Sequence, residues 1–269
     1  MALLEARALT VSYGGLHAND SIELDCHAGK LIGLIGPNGA GKTTFIDAIT
    51  GFTAINQGTV RFDGHDLAGK GPDQRALMGL TRTFQSLELF EDLSVRDNLL
   101  AAAERPRWYS LLSDVVMPRR NERRHQEQVE WALDVLRLTE LAESMPSDLS
   151  HGQRKLVSVA RALAAKPKLV LLDEPAAGLD TVESKLLGMR LRECLDQDMG
   201  LFLIDHDMGL VLNVCDYIYV LDFGRIIAHG TPADVRANPA VIAAYLGESA
   251  TADEGRATDQ HGDQPEVAR

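Results

Sequence analysis

The apolar run Leu31-Ile32-Gly33-Leu34-Ile35 leads straight into Gly36-Pro37-Asn38-Gly39-Ala40-Gly41-Lys42-Thr43-Thr44. A strand ending in G-x-x-x-x-G-K-T has one workable continuation, a loop at its C-terminal end followed at once by a helix. Glycines let the backbone curl until its N–H groups surround an anion. The helix opened by Lys42-Thr43-Thr44 turns its positive dipole end toward the same point. In such a loop Lys42 reaches the β- and γ-phosphates of a nucleotide and Thr43 holds Mg²⁺. A glycine-rich turn before a lysine is the plain alternative, and the flanking strand and helix argue against it.

The rest of the chain reads as an α/β protein. Leu9 to Tyr13 alternates as a strand, Ile22-Glu23-Leu24 as a second, and Thr59-Val60-Arg61-Phe62 before Asp63-Gly64 as one arm of a hairpin. Tyr13 either packs, as strand aromatics usually do, or stacks on a base. From Arg82 to about Asp148 the period becomes helical, with Leu99 to Ala103 and Val129 to Leu141 as its clearest parts. This inserted stretch carries the two basic clusters, Arg105 to Tyr109 and Pro118 to Arg124. Each is either a solvated face or a surface for lipid headgroups or an acidic partner loop.

Ser150 is placed to cap a helix over 154–165. Beyond it, Leu169-Val170-Leu171-Leu172 runs into Asp173-Glu174, and Leu201 to Ile204 runs into Asp205-His206-Asp207. Acids at the C-terminal end of a core strand are costly to bury alone, and that end is where ligands sit in open α/β sheets. A metal-bound phosphate fits them. Tyr217 to Leu221 and Arg225 to Ala228 flank Asp222-Phe223-Gly224 as a hairpin, with short helices from Thr231 and from Pro239. After about Glu248 few apolar anchors remain, and disorder is expected.

Composition removes several functional classes. A formal net charge of −12 over 269 residues argues against a nucleic-acid partner. Cys26, Cys194 and Cys215 are odd in number and lack metal-ligand spacing, which suits reduced thiols in a cytosol. Charges at Glu5 and Arg7 break any secretory apolar region, and Asp205, His206, Asp207 and Asp216 interrupt the most apolar later stretch.

Taken in order, Tyr13, Gly36 to Thr44, Gln85, Leu149-Ser150-His151-Gly152-Gln153, Leu169 to Glu174, Ala177-Gly178-Leu179-Asp180 and His206 resemble the ATP-binding cassette of ABC transporters. The resemblance implies an α/β fold: a P-loop NTPase (RecA-like) core with an N-terminal antiparallel β subdomain and an inserted α-helical subdomain. The division it implies is 1–84 and 151–247 for the core, 85–150 for the helical part, and 248–269 for a tail. It also implies roles. Tyr13 stacks adenine; Gly36, Pro37, Asn38, Gly39, Ala40, Gly41, Lys42, Thr43 and Thr44 hold the phosphates of ATP; Thr43, Gln85 and Asp173 organise Mg²⁺. Glu174 is the general base, and His206 touches the γ-phosphate, although a lone strand-end histidine would more often only pack. Ser150, Gly152 and Gln153 belong to the signature motif, whose serine and glycine amides reach the γ-phosphate held by an opposing cassette, and Asp180 belongs to the D-loop and is counted among the nucleotide-binding residues. His151 departs from the family pattern, which has glycine there.

Thr81-Arg82-Thr83-Phe84-Gln85, Leu89-Phe90, the insertion from Trp108 to Arg124, His206-Asp207-Met208 and the closing Asn238 to Glu248 are similar to the LivG-type ATPases of branched-chain amino acid importers. Such subunits work at the cytoplasmic face of the membrane with permeases, a LivF-type sister or a second copy, and a solute-binding protein. Phe84 to Leu93 is then the expected permease-facing surface, though Leu87, Leu89 and Phe90 could equally be core. Urea-uptake and lipopolysaccharide-export cassettes share much of the pattern, and non-transport ABC ATPases are a more distant alternative.

Overall fold

The computed structural model describes residues 2–83, 89–104, 118–195 and 198–245. Strands β1 (Ala2–Tyr13) and β2 (Leu16–His27) form an antiparallel pair, and β3 (Leu31–Ile35) follows, leading through the glycine loop into helix α1 (Lys42–Thr50). A hairpin of β4 (Gln57–Phe62) and β5 (His65–Asp66), helix α2 (Pro72–Met78) and strand β6 (Leu80–Arg82) come next. Helices α3 (Val95–Ala103), α4 (Pro118–Val135) and α5 (His151–Ala164) are then followed by β7 (Leu169–Asp173) and α6 (Thr181–Glu193). Strand β8 (Gly200–Ile204), helix α7 (Met208–Val214), the hairpin of β9 (Tyr217–Asp222) and β10 (Arg225–Gly230) and helix α8 (Pro232–Ala237) complete the order, and residues 239–245 are helical.

Two sheets result. One has four strands in the order β2-β1-β4-β5; the other has six, β10-β9-β3-β8-β7-β6, parallel throughout except for the β10–β9 hairpin. This is the α/β fold with a largely parallel sheet that the sequence predicts. Every residue of β3, β7 and β8 is buried, as expected where a parallel sheet is covered on both faces. Alternate side chains divide between two cores. Leu31, Val170, Leu172, Leu201 and Leu203 face α5, α6 and α7; Ile32, Leu34, Leu171, Phe202 and Ile204 face α1 and the antiparallel sheet. On the second side Phe45 of α1 meets Phe202 with ring centroids 6.1 Å apart. The alternation places Asp173, two residues after Leu171, on the α1 side of the sheet.

Strands β1 and β2 extend beyond the segments expected from alternation. Register shifts fall between Ala6 and Leu9 and again after Leu9, and Ala8 and Ser21 have φ of 48° and 53°. Each irregularity resets the in-and-out phase, so a single period does not run the length of either strand. Val129 to Leu141 likewise splits into the end of α4 and a 3-10 turn at Thr139–Leu141. Cys26, Cys194 and Cys215 are all buried and free, and burial pushes the first two thiols up to about 12. No helix among the described residues is long and apolar enough to cross a membrane.

Candidate nucleotide-binding site

The central strand β3 delivers the loop Gly36–Gly41 to the C-terminal edge of the parallel sheet. Two glycines are sterically required there. A Cβ on Gly36 would meet the Leu221 carbonyl oxygen at 2.0 Å, and one on Gly41, whose φ is 103°, would meet the Ala18 oxygen at 2.3 Å. The loop is therefore pressed between β2 and the β9–β10 turn. Gly224 donates its N–H to the Ala40 carbonyl at 2.9 Å, and the buried Asn19 donates its side-chain amide to the Gly41 carbonyl at 3.1 Å. Lys42 is buried and folds back over the loop, its Nζ donating to the carbonyls of Gly36 at 2.6 Å and Pro37 at 2.9 Å. Helix α1 has no side-chain cap and no acid in its first turn, which leaves its N-terminal amides to an anion. Asn38, Gly39 and Thr43 are exposed at the rim, and Thr44 is half-buried.

Two neighbouring strands bring carboxylates to the same edge. Ile204 is in register with Leu34 on one side and with Asp173 on the other, so Asp173 lies two strands from the loop, roughly 10 Å across the sheet. Its side chain is only 3% exposed, and Arg82 Nη2 donates to its Oδ2 at 2.8 Å. Burial pushes the Asp173 carboxyl above the usual carboxylate range, and the Arg82 guanidinium partly opposes that. Glu174 follows with a left-handed backbone, φ 47°. The turn is held by the Glu174 amide on the Ile204 carbonyl at 2.8 Å and by the buried Lys155, whose Nζ donates to the Glu174 carbonyl at 3.2 Å.

His206 is brought to Glu174. Its Nδ1 is 3.9 Å from Glu174 Oε1 and 3.7 Å from Asp205 Oδ1, and its side chain remains 58% exposed. Asp205 joins the two strand ends, accepting the Ala176 amide at 3.2 Å and the Asp207 amide at 3.0 Å; burial raises its pKa. Tyr13 lies at the exposed end of β1, 56% accessible, its hydroxyl 3.4 Å from Thr53 Oγ1. An exposed ring on a strand end suits stacking better than core packing.

The serine-led turn sits on a different part of the chain. Ser150 caps α5 as expected: its hydroxyl accepts the Gln153 amide at 3.2 Å, and Gln153 Oε1 accepts the Ser150 amide at 2.8 Å. Asp180 caps α6, accepting the amides of Val182 at 2.7 Å and Glu183 at 2.8 Å. These two helix starts meet. Glu183 Oε1 would lie 2.9 Å from a Cβ on Gly152, and His151 Nε2 3.2 Å from one on Gly178. Gln85 lies outside the described residues. So do Phe84 and Leu87 of the expected permease-facing surface, Arg105 to Tyr109, and the tail from Glu248. Within that surface Leu89 is core, while Phe90 is exposed beneath the Arg161 guanidinium at 5.0 Å.

Sequence reasoning missed the parts played by Arg82, Asp47, Asn19, Lys155 and Asp205. The available signals were the Thr81-to-Gln85 motif around Arg82 and the position of Asp205 at the end of an apolar run; the contacts between elements that give Arg82 its partners are contained in no local pattern.

Among the described residues no group of three or more His, Cys, Asp or Glu could hold a metal ion unaided. One hydroxyl and one buried carboxylate fit Mg²⁺ when the nucleotide supplies the remaining oxygens.

A phosphate loop at the centre of a mainly parallel sheet, with Asp173, Glu174 and His206 on flanking strand ends, defines a P-loop nucleoside triphosphatase. Within that class, the family model described as ABC transporter matches residues 19–177, and the one described as branched-chain amino acid ATP-binding cassette transporter matches residues 225–251. The chain is 38% identical over 253 residues to the high-affinity branched-chain amino acid transport ATP-binding protein BraF of Pseudomonas aeruginosa, covering 92% of this chain and 98% of that one. It is 38% identical over 251 residues to LivG of Escherichia coli, again covering 92% and 98%. Among solved structures, an ATP-binding cassette of an ABC transporter in its ADP conformation superposes with a TM-score of 0.80 at 32% identity, covering 92% of this chain and 100% of that chain. The chain belongs to the ATP-binding cassette family of ABC transporters, and it is an ATP-binding, ATP-hydrolysing subunit of a membrane transporter.

Proposed function

We propose that this subunit energises uptake of branched-chain or related amino acids, docked on membrane permeases at the cytoplasmic face of the membrane and fed by a solute-binding protein. Its second cassette is a LivF-type sister or another copy of itself. In this reading residues 1–84 and 151–247 form the nucleotide-binding core, residues 85–150 the permease-facing helical part, and residues 248–269 a tail. The convergence of Lys42, Asp173, Glu174 and His206 on one sheet edge carries the hydrolytic assignment. The names of the two relatives and the match over residues 225–251 support the solute class.

Tyr13 stacks the adenine, and the amides of residues 36–41 with Lys42 and Thr44 cradle the phosphates. Mg²⁺, held by Thr43 and Asp173 with Gln85, neutralises charge on the β- and γ-phosphates when bound. Glu174 takes a proton from the attacking water as its oxygen bonds to the γ-phosphorus and the bond to ADP breaks. His206, whose Nδ1 is 3.9 Å from Glu174 Oε1, steadies that water and the γ-phosphate. The Ser150 turn, with Gly152, Gln153 and Asp180, serves the nucleotide of the facing cassette, and binding energy at the shared phosphates drives closure.

The test is reconstitution in vesicles with the permeases and binding protein that co-purify with it from membranes. ATP-dependent uptake of radiolabelled leucine that outruns urea uptake is expected. Urea uptake without leucine uptake would overturn the solute class and leave the ATPase assignment standing.

A further inference from the structure

Arg82 does more than neutralise a buried acid. It ends β6, the edge strand beside β7, and its guanidinium extends one arm to each of two carboxylates: Nη2 to Asp173 Oδ2 at 2.8 Å and Nη1 to Asp47 Oδ1 at 2.5 Å. All three groups are shielded, with side-chain exposures of 10% for Arg82, 3% for Asp173 and 30% for Asp47. Asp47 belongs to α1 and follows Thr43 by one helical turn, so both lie on the same face of that helix. The guanidinium thus joins the end of β7 to the helix whose first turn carries Thr43. One rigid fork spans the two elements that bear the proposed metal-binding side chains.

We propose that Arg82 is a positioning residue for the metal-bound nucleotide. It fixes the separation of Thr43 and Asp173 by clamping Asp47 and Asp173 together, and its hydrogen bond to Asp173 Oδ2 fixes the orientation of that carboxylate. The inference rests on the assignment of Thr43 and Asp173 to Mg²⁺ made above. Lysine is no substitute, because a single ammonium lacks the planar fork that serves two carboxylates at fixed geometry. Asp47 shares the role, since it ties the guanidinium to α1.

The effect belongs to the metal-dependent part of nucleotide affinity. Carboxylate-orienting partners of this kind change metal affinity by roughly 10–100-fold when removed. Equilibrium binding of a fluorescent ATP analogue to the full chain, with Mg²⁺ and with excess EDTA, separates that part from the rest. Arg82→Lys and Arg82→Gln are expected to lower the Mg²⁺ enhancement of affinity about tenfold or more while leaving EDTA binding within about twofold. Asp47→Asn should act in the same direction with a smaller loss, and its partly exposed position keeps the test available if the arginine variants fold poorly.

An unchanged or larger Mg²⁺ enhancement in the Arg82 and Asp47 variants overturns the proposal, as does an equal loss of affinity in EDTA. Asp173→Asn is the control for the underlying assignment. If it leaves the Mg²⁺ enhancement intact, the metal site itself is misassigned. If it removes the enhancement and the Arg82 and Asp47 variants do not, the positioning role alone fails.

Discussion

Glu174 holds a left-handed backbone that costs a non-glycine residue on the order of 1–3 kcal/mol. Its surroundings over-determine that conformation: its amide is fixed on Ile204, its carbonyl receives both the Ala177 amide and Lys155, and Asp205 anchors the same turn through Ala176. The conformation puts the carboxylate beside His206. A base can act only if it is ionised and aimed, and here the backbone does the aiming. Glu174→Gln keeps the shape and removes the proton acceptor. Its ATP affinity should stay within about twofold, while phosphate release falls by about 100-fold or more, the usual scale for loss of a general base. Lys42→Ala should do the reverse in emphasis, weakening ATP binding itself. Phosphate-release assays beside equilibrium binding distinguish the two, and wild-type turnover in the glutamine variant would remove Glu174 from the mechanism.

At the scale of elements, Asp216 links three of them. Its Oδ2 accepts the Leu31 amide at the start of β3 at 2.9 Å, while Oδ1 receives Arg192 from α6 at 2.9 Å. Burial alone would raise this carboxyl, but the amide and the guanidinium outweigh it and hold the group below the usual carboxylate range. A depressed folded pKa means stabilisation that is complete above the unfolded value near 4 and lost as pH falls through the lower folded value. Asp216→Asn should therefore cost about 1 kcal/mol at neutral pH, discounted for partial exposure. The gap to wild type should close below about pH 4 in urea denaturation at stepped pH. A gap independent of pH would assign the cost to packing instead.

The phosphate loop, the Ser150 cap and the acid-terminated strands were legible because each is a local pattern whose neighbours in the chain are its neighbours in space. The full lengths of β1 and β2 were not, because bulges near Ala8 and Ser21 break the alternation. Arg82 was visible as a motif residue, but its bridge to Asp47 and Asp173 depends on β6 lying beside β7 and on α1 covering that face of the sheet.

At the scale of the whole molecule, the Ser150 turn and the phosphate loop are both formed within one chain; the turn's polar groups and the loop's carbonyls have partners there, while the α1 amides stay open to an anion. Ser150 and Gln153 cap each other, and Lys42 covers its own loop carbonyls. In the proposed arrangement the turn meets a phosphate held on the loop of a second cassette. Substitution of Ser150 can separate its two duties. Ser150→Ala removes the cap, costing about 0.5–2 kcal/mol of stability, and also removes the hydroxyl from any facing phosphate. Ser150→Asp keeps a capping oxygen, and so keeps stability, but sets a negative charge toward that phosphate. In the Glu174→Gln background with ATP and Mg²⁺, the protein, alone or with its sister cassette, should form a dimer detectable by light scattering after size exclusion. Adding Ser150→Asp should abolish that dimer without lowering thermal stability or the ATP affinity of the monomer. If the aspartate variant dimerises as well as its parent, the turn does not meet phosphate across an interface, and each protomer must hydrolyse ATP with its own residues alone.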